Sequence, residues 1–151
     1  MSSLQRVETT FLLANLAASL VMVGVIWFVQ VVHYPLLAVV PPESASTVAL
    51  DHQRRTGWVV ALPMAVEGVT TLALLWRAPE EVPVWMPWLG AVLLAVALGC
   101  TVLLSVPRHA RMAEHPDARV GRELVLTNWP RTVAWSARGV LCLVMVVCII
   151  P

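Results

Sequence analysis

Apolar positions along the chain fall into four long runs: Phe11 to Val32, Thr56 to Trp76, Val84 to Val106, and Leu124 to Ile150, the last interrupted by Arg131 and Arg138. Each run holds about 20 residues. At a rise of about 1.5 Å per residue, that length crosses a hydrocarbon core of about 30 Å. A segment inside lipid must satisfy its own backbone polar groups, which an α-helix does without outside help. The pattern predicts an all-α fold: an integral membrane antiparallel four-helix bundle with helices at about 11–34, 54–76, 84–108 and 124–150, and residues 1–151 as one transmembrane domain. The first run is expected to stay as a helix rather than be cleaved as a signal. It is too long for that role, and Tyr34-Pro35-Leu36-Leu37 follows it where a cleavage site needs small residues.

Polar stretches separate the runs. The first link, His33 to Arg55, contains Pro41-Pro42, after which Ser44, Ser46 and Thr47 are placed to start a short interfacial helix. The second is the short Arg77 to Pro83, and the third is the long Pro107 to Glu123. Trp76, Trp85 and Trp88 flank the short link, and Trp58 and Trp129 lie toward the other face, as expected of indoles at headgroup level.

Composition agrees with lipid as the solvent. Hydrophobic residues make up 59% of the chain and charged residues 13%, about half the share of a soluble domain. Mean hydropathy is +0.80. A net charge of +1 supplies no field for nucleic acid, which is excluded as a partner. Cys100, Cys142 and Cys148 all sit in apolar runs and read as small packing residues. Arginines cluster on the face with the two long links: Arg54, Arg55, Arg108, Arg111, Arg119, Arg122 and Arg131, against Arg6 and Arg77 on the other. The positive-inside rule then places the long links in the cytoplasm and both termini outside.

Polar residues inside the runs mark the inward faces, because ionisable groups at membrane depth turn toward the bundle interior. On the first helix Asn15, Ser19, Gln30 and His33 form a stripe, with His33 five turns after Asn15. On the last, Asn128, Arg131, Trp135, Arg138, Cys142 and Met145 share one face. Thr101, Ser105 and His109 step along the third helix, and His52, Thr56, Pro63 and Glu67 share a broad face of the second, where Pro63 is expected to introduce a kink. The serines, threonines and Asn15 read as interhelical hydrogen-bond partners. Glu67 and Arg138 are expected to pair near mid-membrane. His33, His52, His109, Asn128 and Arg131 are expected to line a polar pocket at the cytoplasmic end, with Gln30 and Trp135 just deeper. A shift of 76 positions also places His33 on His109, His52 on Asn128 and Arg55-Thr56 on Arg131-Thr132, the mark of an internal duplication.

Three functional classes fit these residues. A membrane enzyme, an oxidoreductase or oxygenase on a lipophilic quinone-like substrate, would use His33, His52, His109, Glu67 and Arg131 catalytically. Gln30, Asn128, Trp135 and Arg138 would then hold a cofactor or substrate. In that class the three histidines are also candidate ligands for a metal or haem. The other classes are a non-enzymatic accessory or ligand-binding subunit of a larger membrane complex, and a small transporter running past Glu67 and Arg138. The expected partners are the bilayer, a lipophilic small molecule, and further copies or other subunits.

The runs Trp27-Phe28-Val29-Gln30-Val31-Val32-His33-Tyr34-Pro35 and Asn128-Trp129-Pro130-Arg131-Thr132, with His52, Pro63, Glu67, Trp135 and Arg138 between and after them, resemble a set of uncharacterised small four-helix bacterial membrane proteins. More distantly, the Trp-x-Arg-Thr stretch and the four-helix layout look like the anthrone-oxygenase-like membrane proteins. That likeness implies oxidation of a flat, hydrophobic, quinone-related substrate.

Overall fold

The computed structural model describes residues 2–114 and 118–150, and among these there is helix but no strand. Four helices are each long and apolar enough to cross a membrane. We number them α1 (Ser3–Leu37), α2 (Pro42–Trp76), α3 (Trp85–Glu114) and α4 (Ala118–Cys148). α1 opens on a capping box, in which Ser2 and Gln5 each accept from the other's backbone N–H. α2 opens with Pro42 in its first turn, where the missing N–H costs nothing, and stops at Arg77, whose backbone is extended.

The helices outrun the apolar runs. α2 is 35 residues long, so most of the expected first link is helix, and Ser44, Ser46 and Thr47 lie in the opening turns of α2 rather than in a separate element. The cause is amphipathicity that a hydropathy average dilutes: Ala45 and Ala49, one turn apart, are buried, while Ser44, Thr47 and Val48 are exposed. The end of α3 behaves alike, burying His109 and Met112 and exposing Ala110 and Arg111. Residues 115–117 of the third link lie outside the described residues.

α1 packs against both α2 and α4, α3 packs against α4, and α2 meets both parts of α3. One apolar cluster joins the end of α1 (Tyr34, Leu37), the start of α2 (Ala45, Ala49), the end of α3 (Met112) and the start of α4 (Val120, Leu124). A second joins Leu12, Leu74, Met86, Leu141 and Met145 at the other end. There Arg77 Nε contacts Glu8 Oε1 at 2.8 Å, tying the start of α1 to the end of α2. Outward faces are apolar: Leu62 and Leu103 are each 72% exposed and Trp76 91%, with Trp85 and Trp88 also exposed.

Two helices carry a single π-helical turn, Val29–His33 in α1 and Thr101–Ser105 in α3. Each ends just before an X-Pro step, Tyr34-Pro35 or Val106-Pro107. The proline lacks an N–H and its ring crowds the carbonyl four residues back, so the chain widens by one residue, with Tyr34 N–H reaching Val29 O and Val106 N–H reaching Thr101 O. The two π turns stand 72 residues apart, pairing His33 with Ser105. The 76-residue register that would pair His33 with His109 is not the one these turns follow.

α4 approaches the chain after α1 very closely at Gly121, where an added Cβ would sit 2.6 Å from Ala38 Cα. A backbone atom cannot swing aside, so Gly121→Ala is expected to destabilise the protein by about 1–3 kcal/mol. Equilibrium unfolding in detergent measures this, and an unchanged transition would show that the contact relaxes freely.

Candidate functional site

The polar interior begins with the ion pair. Arg138 Nε donates to Glu67 Oε1 at 3.0 Å, and the two side chains are 1% and 0% exposed. Every helix contributes to it. Arg138 Nη2 donates to Thr71 Oγ1 at 2.6 Å and Asn15 Oδ1 at 3.2 Å, and Nη1 donates to the Gly90 carbonyl. Glu67 also accepts from Ser19 Oγ at 2.6 Å and from Trp135 Nε1 at 3.0 Å. Gly90 makes the room, since a Cβ there would stand 3.1 Å from Arg138 Nη1. Cys142 donates to Asn15 Oδ1 at 3.1 Å and is buried, in keeping with a packing role. The void beside Arg138 is only about 10 Å³, barely one water probe. Glu67 and Arg138 therefore sit in a closed network, as the ion pair expected near mid-membrane, and neither the catalytic residue expected at Glu67 nor the ligand-holding residue expected at Arg138 lines the cavity described next.

That network fixes Trp135, and Trp135 is the floor of a cavity. A space of about 280 Å³ opens between the helices toward the end of α1 and the start of α2. Its deep part is apolar, with Met22, Ile26, Val60 and Met64 beside the indole; its other end carries Tyr34, His52, Gln53, Ser105, His109 and Arg131. Tyr34 Oη and His109 Nε2 share a hydrogen bond at 2.9 Å, and either can donate, depending on the imidazole tautomer. Arg131 Nη1 donates to Ser105 Oγ at 2.6 Å, and its guanidinium carbon lies 5.6 Å above the Trp135 ring. Among the described residues no carboxylate pairs with Arg131, and its buried Nε has no hydrogen-bond partner; nor has the buried Nδ1 of His109. The polar end thus holds an uncompensated cation, a free donor, and a phenol–imidazole pair able to pass a proton, all facing an apolar slot.

Of the residues expected at this pocket, His52, His109, Arg131 and Trp135 line it. His33, Gln30 and Asn128 do not. Gln30 and Asn128 satisfy each other: Asn128 Nδ2 donates to Gln30 Oε1 at 2.8 Å, Thr132 Oγ1 donates to the same oxygen at 3.4 Å, and Gln30 Nε2 donates to the Val125 carbonyl at 3.1 Å. They bind α1 to α4. His33 is displaced because the π turn rotates everything after it by about one residue. The position that α1 delivers to the cavity is Tyr34, 2% exposed, which sequence reasoning missed. The available signal was Pro35, which marks where the α-helical phase breaks.

The three histidines do cluster. His33 and His52 stack with ring centroids 4.2 Å apart and planes 24° from parallel, and His52 and His109 lie 5.0 Å apart. Among the described residues, however, no group of three His, Cys, Asp or Glu side chains is arranged to hold a metal ion. Imidazole lone pairs lie in the ring plane, so two stacked rings aim past a common centre instead of converging at about 2 Å. His52 Nδ1 instead shares a hydrogen bond with Thr56 Oγ1 at 3.0 Å, and the expected three-histidine metal set is not formed. No known family model, no curated protein and no solved structure matches the chain.

Proposed function

We propose that the chain is an integral membrane protein, an antiparallel four-helix bundle, whose interhelical cavity binds a flat lipophilic molecule carrying an anionic oxygen. The Tyr34–His109 pair moves a proton to or from that ligand. The observation that carries this reading is the pairing of an apolar slot over Trp135 with an arginine, Arg131, that has no counter-ion among the described residues. A phenolate, enolate or carboxylate oxygen supplies the missing charge, and an aromatic ring stacks on the indole. The volume, about 280 Å³, sits at the small end of ligand pockets and suits one or two fused rings. The phenol–imidazole pair would take the proton from the ring's hydroxyl and leave the resulting oxyanion beside Arg131. The arginine-rich end of the bundle argues for a cytoplasmic opening and extracytoplasmic termini.

A hydroxynaphthoquinone, anionic at neutral pH, and its uncharged methyl ether form a matched pair of probes. Binding to the purified protein in nanodiscs is expected to favour the anion by about tenfold or more, the worth of one charge-assisted hydrogen bond. Equal affinity for both, or no binding by either, would overturn the reading.

A further inference from the structure

A second space lies just outside the cavity wall. It is a groove of about 420 Å³ along the seam between α1 and α2. Val25, Val29, His52 and Thr56 line the groove on one side and the cavity on the other, so the two spaces share a wall only one side chain thick. On its outer side the groove is bounded by Gly24, Phe28 and Val59, and Phe28 and Val59 are 58% and 57% exposed on the apolar face of the bundle. Gly24 leaves it open, because a Cβ built there meets nothing within 4 Å. Across the seam the wall is held by a contact that can be remade, the stacking of His52 on His33, whose buried Nε2 has no partner among the described residues; the hydrogen bond between His52 and Thr56 lies within α2.

We propose that the ligand of the cavity is a long-tailed amphiphile, with its ring at Trp135 and Arg131 and a hydrocarbon tail leaving between α1 and α2 through this groove into the bilayer. The proposal rests on the cavity reading above and goes further by naming the substrate class: a lipid-anchored ring rather than a free aromatic acid. A cavity near the lower size limit for ligands cannot also take a tail, whereas the groove continues it directly through the shared wall. Among the described residues, an apolar chain crossing to the lipid-facing side meets no charged side chain except Arg55 at the rim, whose Nε is already paired with Asp51 Oδ2 at 2.5 Å. Val25 and Val29 on α1 and His52 and Thr56 on α2 then form the gate, parting across the seam to admit the tail.

The test uses the protein in nanodiscs with two probes, a hydroxynaphthoquinone and its long-alkyl derivative, each corrected for partition into empty nanodiscs. The tailed probe is expected to bind the unaltered protein at least about tenfold more tightly than the tailless one. Gly24→Leu fills the groove without touching the cavity, and leucine suits a helix better than glycine does. It should abolish the tail's advantage and leave the tailless probe unchanged. Val59→Phe, from the α2 side, is the second variant should the first fail to fold. If tailed and tailless probes bind alike, or if a groove variant shifts both equally, the tail site is overturned and the cavity reading stands. Should neither probe bind the unaltered protein, both fall together.

Discussion

Removing the Glu67 carboxylate is expected to cost about 3–5 kcal/mol of folding free energy, the largest effect of any single side chain outside the cavity. Glu67→Ala leaves the Arg138 guanidinium, 1% exposed, without its counter-ion, and leaves Ser19 Oγ and Trp135 Nε1 without the acceptors they now have at 2.6 and 3.0 Å. Each orphaned group carries its own desolvation penalty, so the loss exceeds that of one ion pair. Arg138→Met is expected to cost a comparable amount, because it buries a lone carboxylate. The double variant Glu67→Met/Arg138→Met should recover much of the loss, since a buried pair replaced by apolar groups of similar size is often near neutral. Equilibrium unfolding in mixed micelles provides all three numbers. A single-variant loss below about 1 kcal/mol is what an exposed pair gives, and would mean that the interior is wet and the network open.

The double variant also separates scaffold from site. Trp135 donates its hydrogen bond to Glu67 but owes its place in the cavity to packing with Met22, Ile26, Ala97 and Ala134. If stability returns in the double variant while probe binding stays weak, Glu67 is a positioning residue for the indole rather than only a strut between helices.

Where the α-helical phase is unbroken, the buried face was legible in the sequence. On α4, Asn128, Trp135, Arg138, Cys142 and Met145 are all buried and Arg131 is partly so, as their spacing indicates, because the helix stays α-helical through Pro130 and the stripe keeps its phase. The contact between Glu67 and Arg138 was legible too, since a lone carboxylate and a lone guanidinium at mid-depth have few ways to be satisfied except by each other. Phase arguments failed on α1. Counting five turns from Asn15 to His33 assumes an unbroken α-helix, and the π turn before Tyr34-Pro35 adds a residue, so Tyr34 takes the inward position. Periodicity has no means of registering one extra residue, although the proline that causes it is in plain sight. Gln30 and Asn128 are inward, as read, but they satisfy each other instead of lining the cavity. Nothing in one-dimensional spacing says that two inward amides will satisfy each other. The long links were misread for another reason: helices that cover other helices beyond the apolar runs need only small residues at four-residue spacing, such as Ala45 and Ala49, and those barely raise mean hydropathy.

Replacing Arg131 should weaken binding of an anionic ring by about a hundredfold while leaving the fold intact. Within the described residues, Arg131 donates from Nη1 to Ser105 Oγ, lies close enough to the Tyr34 phenol to act on it, and makes a cation–ring contact to Trp135 at 5.6 Å. It is only partly buried, so Arg131→Gln leaves no buried charge behind and few broken contacts. A ligand oxygen at the cavity's polar end would lose a charge-assisted hydrogen bond and the Coulomb attraction in a region that excludes water, together about 3 kcal/mol or two decades in affinity. Affinity for the uncharged methyl ether should change little, since its stacking on Trp135 and its apolar contacts remain. Arg131→Lys keeps the charge but not the planar fork, and should fall between, at about a tenfold loss. Ser105→Ala, which frees the guanidinium from its anchor without removing it, should also cost about tenfold through lost orientation. Titration of each variant with the anionic and neutral probes, next to its unfolding transition, decides the matter. A variant Arg131→Gln that loses both probes equally would assign Arg131 to packing. One that loses neither would place the anion elsewhere, and the cavity reading would go with it.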